Sequence, residues 1–338
     1  MKRRKPASRW IRFADTVVLG AVELWGRYRY RKRFRKYRKL ARGTGTRPRL
    51  AVPRSANDKF LWRKVFDHDP RFVAICGKLS CREWVRVRDP DLAMAELLWV
   101  GVSAADIPDA ILRRDVVIKP NAASGRYRFI RDGEYDRHEL EHTARDWLAE
   151  RYDRRYGEWG YRDAPDLLLV ESEIRPDNGV LDELKIYTFG DRIERVVYIR
   201  ARFGNMEAAI WEPDADGNLA HSDKPAAVAK RTCRHPLPES IERALEHARR
   251  LGREFDHLRV DLYTDGKHLW FGELTVYNQA GEISHVGPDP DSRITRAWDI
   301  RRSRFLRQPP SRGWRAWYAA ALSRRLRQAT PSENTDKS

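Results

Sequence analysis

One lysine in this chain stands where an apolar run meets a loop of small residues. Lys119 closes the run "VVIK", and the following "PNAASG" cannot continue a strand. Backbone N–H groups of such a loop beside an ammonium form a cradle for anions, and phosphate is a common guest. The pattern predicts a phosphate-binding lysine at the end of a strand. An exposed lysine before a turn would show the same pattern and stays an alternative.

Two carboxylates stand on apolar runs further along the chain. Asp261 follows "LRV", Glu273 follows "LWFG", and "TDGK" between them is typical of a hairpin turn. The hairpin should bring both carboxylates toward one end of a sheet, where two negative charges need a partner or a cation. Mg²⁺ suits the pair, because it takes one or two protein carboxylates and completes its shell with water and phosphate oxygens. Two solvent-facing carboxylates remain the alternative.

The surrounding segments alternate between strand and helix patterns. The helix predicted at 136–157 has Leu140, Trp147 and Leu148 on one face, and a second helix is predicted over "PESIERALEHARRLGREF". Strands and hairpins are predicted over "RDVVIKP", "YRFIRDG", "APDLLLVESEI", "LKIYTFGDRIERVVYIRARF" and "LRVDLYTDGKHLWFGELTVYN".

Charge is distributed unevenly over the 338 residues, whose net charge is +18. Residues 1–50 hold eighteen Lys/Arg and two acids, and residues 301–330 hold nine Arg and no acid, so the stretch between them is net acidic. An acidic body argues against a nucleic-acid-binding core. The three cysteines, Cys76, Cys81 and Cys233, are too few for a disulfide framework and indicate a reducing compartment. They form no Cys-x-x-Cys pair, so we do not expect zinc.

The basic ends combine arginine with aromatic residues. "GRYRYRKRFRKYRKLARG" follows an apolar run at 13–25 that holds Asp15 and Glu23 and is too short to span a bilayer, and no cleavable signal is evident. A helix on an anionic lipid surface would have this composition, and so would an RNA-binding helix or a merely solvated basic one. "GWRAWYAAALSRRLRQAT" repeats the scheme near the other end.

The order of these motifs resembles the ATP-grasp superfamily. "NDKFLW", "VIKPNAASG", "DELKIYTFGDR", "RVDLY" and "FGELTVYNQAG" look most like its TupA-like, teichuronopeptide-synthesis branch, over roughly residues 55–300. The resemblance implies an ATP-grasp fold with two α+β subdomains that grip ATP between mainly antiparallel sheets, extended by basic helices at both ends. It implies bounds at 1–54 for the N-terminal extension, 55–300 for the catalytic region, divided into 116–170 and 171–300, and 301–338 for the C-terminal helix and tail.

The resemblance also implies a site with ATP and Mg²⁺ as cofactors. The residues that match the pattern are, for the nucleotide, Lys119, Ser124, Gly125, Glu171, Glu173 and Lys185; for the metal, Asp261, Glu273 and Thr275; and for the γ-phosphate or an acyl-phosphate, Arg202 and Arg259. Three departures from the family pattern bear on loop flexibility, on the surroundings of the second lysine and on acceptor contacts: "NAASG", "ELK" and "VYNQAG". Thr275 stands where related folds often have asparagine.

The implied activity is an ATP-dependent carboxylate–amine ligase that forms an amide through an acyl-phosphate. The branch suggests a glycan or uronic-acid carboxylate and an amino-acid amine as substrates, in cell-surface polysaccharide synthesis. The expected location is cytoplasmic, with residues 1–50 in contact with the inner face of an anionic membrane. The alternatives are an ATP-dependent kinase of a sugar or lipid-linked glycan, and a non-catalytic protein that binds a membrane surface or nucleic acid.

Overall fold

The computed structural model describes residues 9–42, 46–150, 152–202, 205–224, 226, 228–229, 231–232, 235–283 and 287–328. Cys233 and the tail beyond Thr330, which the sequence predicts to be disordered, lie outside these residues. The chain divides into two compact units, one formed by 70–280 and the other by 1–69 together with 281–338. These limits differ from the bounds at residues 54 and 300 implied by the sequence, which stay a prediction.

Twelve helices and eleven strands occur in the described residues. The helices are α1 Arg9–Arg29, α2 Arg31–Leu40, α3 Ala56–Val65, α4 Pro70–Cys76, α5 Lys78–Arg88, α6 Asp109–Leu112, α7 Arg137–Ala149, α8 Tyr152–Tyr156, α9 Ile241–Gly252, α10 Arg293–Ala297, α11 Arg304–Arg307 and α12 Trp314–Gln328. The strands are β1 Leu97–Gly101, β2 Val116–Pro120, β3 Arg128–Ile130, β4 Leu168–Ser172, β5 Asp182–Phe189, β6 Arg192–Arg200, β7 Glu207–Pro213, β8 Leu219–Ser222, β9 Arg231–Thr232, β10 Leu258–Thr264 and β11 Leu269–Thr275.

The smaller sheet in the 70–280 unit has the strand order β1-β4-β2-β3, and all its pairs are antiparallel. Side chains alternate along β2, so Val116 and Ile118 enter the core, where they meet Leu168 and Val170 of β4. Helix α7 covers this core with Leu140, against which Trp147 and Leu148 also pack. The opposite face of the sheet is therefore left for polar residues of the strands.

The helix predicted at 136–157 is divided in the structure. Asp136 caps α7, because its carboxylate accepts a hydrogen bond from the Glu139 N–H at 2.9 Å. The helix ends before Glu150, whose backbone is extended (φ −77°, ψ 111°). The Glu150 carboxylate is bound by Arg126 at 2.9 Å and by Arg155. The helix that the sequence pattern extends to residue 157 is thus interrupted at Glu150.

The larger sheet has the order β11-β10-β5-β6-β7-β8, with β9 pairing parallel to β7. Both predicted hairpins are present, as β5–β6 and β10–β11. Helix α9 packs against β5, β6 and β10 with its buried face, which includes Ala244, Ala248 and Leu251. The sequence patterns did not predict β1 of the smaller sheet, nor β7 and β8 of the larger one.

A bulge in the β10–β11 hairpin sets its alignment. Asp261 is paired with Glu273 and the next residue, Leu262, with Phe271, so Gly272 is the extra residue of β11. A Cβ at Gly272 would lie 2.9 Å from the backbone oxygen of Asp261. Glycine is required here because the two backbones approach more closely than a side chain allows.

The other unit joins the two ends of the described chain. Helix α1 packs against α12, and Asp15 forms an ion pair with Arg324 at 2.6 Å. Trp62 of α3 is fully buried and donates a hydrogen bond to the Tyr318 hydroxyl of α12 at 2.8 Å. The basic helical extensions expected from the sequence are present, and both belong to one compact unit.

None of the helices in the described part of the chain is long and apolar enough to span a bilayer.

We expect Gly272→Ala to lower the free energy of unfolding of the 70–280 unit by about 1 to 3 kcal/mol, because the added methyl group forces the bulge to shift. Urea titration of the purified variant measures this change. Gly20→Ala is the matched control. It lies inside α1, with no described atom within 4 Å of its added Cβ, and should be neutral or stabilising by up to about 1 kcal/mol. Equal effects of the two substitutions would contradict the prediction.

Candidate active site

A cavity of about 970 Å³ lies within the 70–280 unit, and residues of both sheets line it. Ten of the eleven site residues implied by the sequence are in its lining: Lys119, Ser124, Gly125, Glu171, Glu173, Lys185, Arg202, Arg259, Asp261 and Glu273. Thr275 is not in the lining, but its hydroxyl contacts two residues that are. The structure therefore brings together groups that are up to 154 positions apart in sequence. Their individual roles stay predictions.

The strand register aligns three of these residues in one row. Asp261 on β10 is paired with Lys185 on β5 and with Glu273 on β11. Directly paired residues of antiparallel strands project from the same face of a sheet, so the three side chains are neighbours on the cavity side. Arg259 and Thr275 form the adjacent pair two positions along β10. A one-residue shift of register would turn this row into the core.

Asp261 is buried and bound by two cations. Arg259 donates to both of its carboxylate oxygens at 2.6 Å, and Lys185 donates at 2.7 Å. Burial alone would raise the pKa of Asp261, but the charges of Arg259 and Lys185 outweigh it and hold this pKa below its usual value. Asp261 therefore stays ionised, and the pKa of the Arg259 guanidinium is raised in turn by Asp261.

Lys185 also binds a second carboxylate. Its ammonium donates to Glu183 at 2.5 Å, and Arg202 approaches the other Glu183 oxygen at 2.7 Å. Burial, together with the negative charge of Asp261, raises the pKa of Glu183 above its usual value in spite of these two cations. Lys185 and Arg202 are thus fixed in place on the cavity wall.

The side-chain oxygens on β10 and β11 are of the kind that bind a magnesium ion. Arg259 donates to the Thr275 hydroxyl at 3.0 Å, and Thr275 donates to Glu273 at 3.2 Å. Two carboxylates and a hydroxyl on neighbouring strands supply the hard oxygen ligands that Mg²⁺ prefers, with phosphate and water oxygens as its remaining ligands. The described part of the chain contains no cluster of three or more His, Cys, Asp or Glu side chains that could hold a metal ion without other ligands. A metal here would depend on a bound phosphate.

The smaller sheet contributes the other wall. Lys119, the penultimate residue of β2, forms an ion pair with Glu171 of β4, and Arg82 binds the other Glu171 oxygen at 2.8 Å. After β2, the loop with Ser124 and Gly125 borders the cavity, and Gly125 has a φ of +69° with open space around it. This left-handed conformation favours glycine and allows the loop to turn over the cavity.

Glu173 lies at the outer part of the same wall and is held by arginines. Arg131 binds its carboxylate at 2.6 Å, and Arg175 binds it at 3.0 Å. Both arginines line the cavity as well. A ribose or any other polar ligand that approaches Glu173 would therefore meet an ion-paired carboxylate.

Sequence reasoning missed two basic residues of the site, Lys78 and Arg82. They lie four residues apart on α5, next to the buried Cys81, so one face of this helix points both charges into the cavity. The Lys78 ammonium donates to the backbone oxygen of Ala123 and thereby holds the loop after β2. Two basic residues at i and i+4 beside the apolar residues of this segment were the available signal.

The surroundings of α5 change the pKa values of two of its residues, Lys78 and Cys81. Burial lowers the pKa of Lys78 to about 8, with Lys119 contributing in the same direction and Glu273 opposing it. Burial raises the pKa of Cys81 to about 12, so its thiol is not a nucleophile at neutral pH. The chemistry available at the cavity is therefore the binding and neutralisation of a highly charged anion by fixed cations, beside oxygen ligands for a metal.

We expect the free energy of unfolding to rise between pH 8 and 10.5 through Lys78. Its pKa is about 8 in the folded protein and 10.5 ordinarily, so the unfolded chain binds more protons over this interval and stability increases with pH. Lys78→Met should remove about 1 to 3 kcal/mol of this rise, as measured by urea titration across the pH range.

Lys267→Met, at an exposed position of the β10–β11 turn, is the control and should retain the wild-type pH dependence. A rise that persists in Lys78→Met, or that disappears in both variants, would show that Lys78 is not its source.

Comparison with known proteins gives a family and distant structural neighbours. The sequence model of the family described as TupA-like ATPgrasp matches residues 59–291. None of the curated proteins matches the chain. Solved structures similar to it include a D-alanine–D-alanine ligase from Bacillus anthracis, at 14% identity and a TM-score of 0.34, over 81% of this chain and 71% of that one.

Two other similar structures are ligases. The ATP-grasp ligase PsnB, complexed with precursor peptide PsnA2 and AMPPNP, has 14% identity and a TM-score of 0.35, over 72% of this chain and 66% of that one. The L-amino acid ligase from Bacillus licheniformis has 13% identity and a TM-score of 0.34, and this chain spans only 42% of its length. Alignments this distant add nothing to the family match.

The matched segment covers more than half of the chain and contains every residue that lines the cavity. The chain therefore belongs to the TupA-like ATP-grasp family and has an ATP-grasp fold.

Proposed function

We propose that the cavity binds ATP with Mg²⁺ and joins a carboxylate to an amine through an acyl-phosphate. The observation that carries this proposal is the row Lys185–Asp261–Glu273 on the larger sheet, which lines the same cavity as Lys78 and Lys119. A triphosphate needs several cations around it, and a transferred phosphoryl group needs oxygen ligands for a metal beside them. This cavity has both.

The nucleotide roles follow the two walls. Lys119 and Lys78 would contact the phosphates from the smaller sheet and α5, beneath the loop that contains Ser124 and Gly125. Lys185 would contact them from the larger sheet. Glu171 and Glu173 on β4 and the segment after it would lie beside the adenine and the ribose, with their arginine partners fixing the carboxylates in orientation.

The residues proposed for the metal are Asp261, Glu273 and Thr275, whose hydroxyl also donates a hydrogen bond to Glu273. Bound Mg²⁺ would supply neutralisation of the charge that develops on the phosphate oxygens. Arg259 and Arg202 would meet the γ-phosphate, or the acyl-phosphate formed from it. Their guanidinium groups are already positioned by Asp261 and Glu183 at 2.6 and 2.7 Å, so little reorganisation is needed when charge develops.

The proposed reaction has two steps, phosphoryl transfer to the carboxylate and attack of the amine on the acyl-phosphate. A substrate carboxylate oxygen attacks the γ-phosphorus of ATP, the bond to the β-phosphate oxygen breaks, and ADP leaves. An amine nitrogen then attacks the acyl carbon, the bond from this carbon to the phosphate oxygen breaks, and the nitrogen gives a proton to the departing phosphate or to water, which leaves the amide. No nucleophilic side chain is needed, so the protein acts by positioning and by electrostatic stabilisation.

We propose a glycan carboxylate, such as that of a uronic acid, and an amino-acid amine as the substrates. The support is the TupA-like family match, together with the arginines Arg126, Arg131 and Arg175 at the outer part of the cavity, where an acidic acceptor would be attracted. A role in cell-surface polysaccharide synthesis follows from this proposal. So does a location at the inner face of the membrane, where lipid-linked glycans are built.

The test is ATP turnover by the purified protein with Mg²⁺, screened against pools of uronic-acid glycans and amino acids, with ADP and phosphate quantified. ADP and phosphate in equal amounts with an amide product would support the proposal. ADP with a phosphorylated sugar and no free phosphate would identify a kinase instead. Absence of turnover and of ATP binding in every pool would overturn the proposal.

We expect Glu273→Gln to reduce turnover at least about a hundredfold, because the amide keeps the shape of the side chain but loses the charge that would hold the metal. The matched control is Glu246→Gln, at an exposed position of α9, which should turn over ATP at the wild-type rate. Circular dichroism of both variants checks that they are folded. A Glu273→Gln variant with near-wild-type turnover would refute the metal role.

A further inference from the structure

Helix α1 has an apolar stripe that faces away from the rest of its unit. The stripe consists of Trp10, Phe13, Val17, Leu24 and Tyr28, whose side chains are between 54% and 82% exposed. Their spacing of three, four, seven and four residues places all five on one side of a helix with 3.6 residues per turn. From the first to the last, the stripe is about 27 Å long at 1.5 Å per residue.

The opposite side of α1 is already used by the fold. Val22 and Gly26 are buried, and Asp15 on the same side pairs with Arg324 of α12. Helix α1 therefore has two apolar sides, one packed and one exposed. Isolated exposed apolar residues are ordinary, but a continuous row of this length on one face marks an interaction surface.

The surroundings of the stripe are basic. Arg27 and Arg29 end α1, and in α2 seven of the ten residues Arg31–Leu40 are Lys or Arg, most of them exposed. On α12, Trp314 and Trp317 are also exposed, at 44% and 67%, and the ring of Trp314 lies 5.2 Å from that of Trp25 on α1. Indole rings favour the boundary between lipid headgroups and acyl chains.

We propose that the α1 stripe and the basic helix α2 form a surface that binds anionic lipid bilayers in the plane of the interface. The apolar side chains would enter the headgroup region, and the lysines and arginines would contact acidic headgroups. This combination of a one-sided apolar stripe and a cationic flank distinguishes a lipid surface from other partners. Nucleic acid would use the cations but has no role for Val17 or Leu24, which would stay in water.

This surface belongs to the unit formed by 1–69 and 281–338, and every residue that lines the cavity belongs to the other unit. The proposal therefore does not rest on the proposed activity. Single substitutions are better tests than removal of residues 1–50, because that deletion would also remove Tyr37 and Leu50 from the core of this unit.

The experiment is sedimentation of the full chain with vesicles of phosphatidylcholine and phosphatidylglycerol at about 3:1, and with vesicles of phosphatidylcholine alone, at about 0.1 M salt. We expect binding to the anionic vesicles and at least about tenfold weaker partitioning to the neutral ones. Val17→Asp and Leu24→Asp should each weaken binding to the anionic vesicles by about tenfold or more. ATP binding measured on the same samples should not change.

Val87→Asp is the matched control, since Val87 is also a helical valine, on α5, and is 68% exposed. It should bind vesicles like the wild type. Lys32→Glu with Arg35→Glu should weaken binding to the anionic vesicles only. Absence of vesicle binding, equal binding to both vesicle types, or unchanged binding by Val17→Asp and Leu24→Asp would each overturn the proposal. Polynucleotide binding is measured in competition with the vesicles. If the Lys32→Glu, Arg35→Glu variant lost polynucleotide binding and Val17→Asp kept it, the surface would be assigned to nucleic acid instead.

Discussion

The ionised carboxylate of Asp261, buried in the larger sheet, constrains the rest of the site. An uncompensated charge at this depth would be strongly destabilising, and Arg259 and Lys185 compensate it at 2.6 to 2.7 Å. Because Lys185 also binds Glu183, and Glu183 binds Arg202, two buried carboxylates fix these cations in place on the cavity wall. In the proposed reaction, an incoming triphosphate would enter a network whose charges are already aligned.

That network depends on how the strands are aligned. Asp261 faces Lys185 on one neighbour and Glu273 on the other only because the bulge at Gly272 restores the pairing of Glu273 after the turn. In the smaller sheet, too, one buried carboxylate is shared by two cations. There Glu171 is shared by Lys119 and Arg82, which come from a strand and from a helix. In both walls of the cavity, a buried carboxylate fixes the position of the charged ends of the lysine and arginine side chains.

The two units use positive charge differently. In the 70–280 unit, lysine and arginine are paired with buried acids around a cavity, and their solvation is largely replaced by protein contacts. In the other unit, the cations of α2 are mostly exposed beside an apolar stripe, where long-range attraction to an anionic surface is the dominant effect. The net charge of +18 therefore comes from the helical ends of the chain and not from the residues around the cavity.

Local patterns in the sequence were sufficient to predict both hairpins, the strand that carries Lys119 near its end and the small-residue loop after it, because alternation and turn residues act over a few positions. Lys78, Arg82 and β1 were missed, since their roles depend on partners far away in the chain. The strands β7 and β8 were also missed, although they pair with strands close to them in the sequence. The sequence showed that α1 is apolar but not which side is exposed. Only packing against α12 decided that, because a helix with two apolar faces can bury either one.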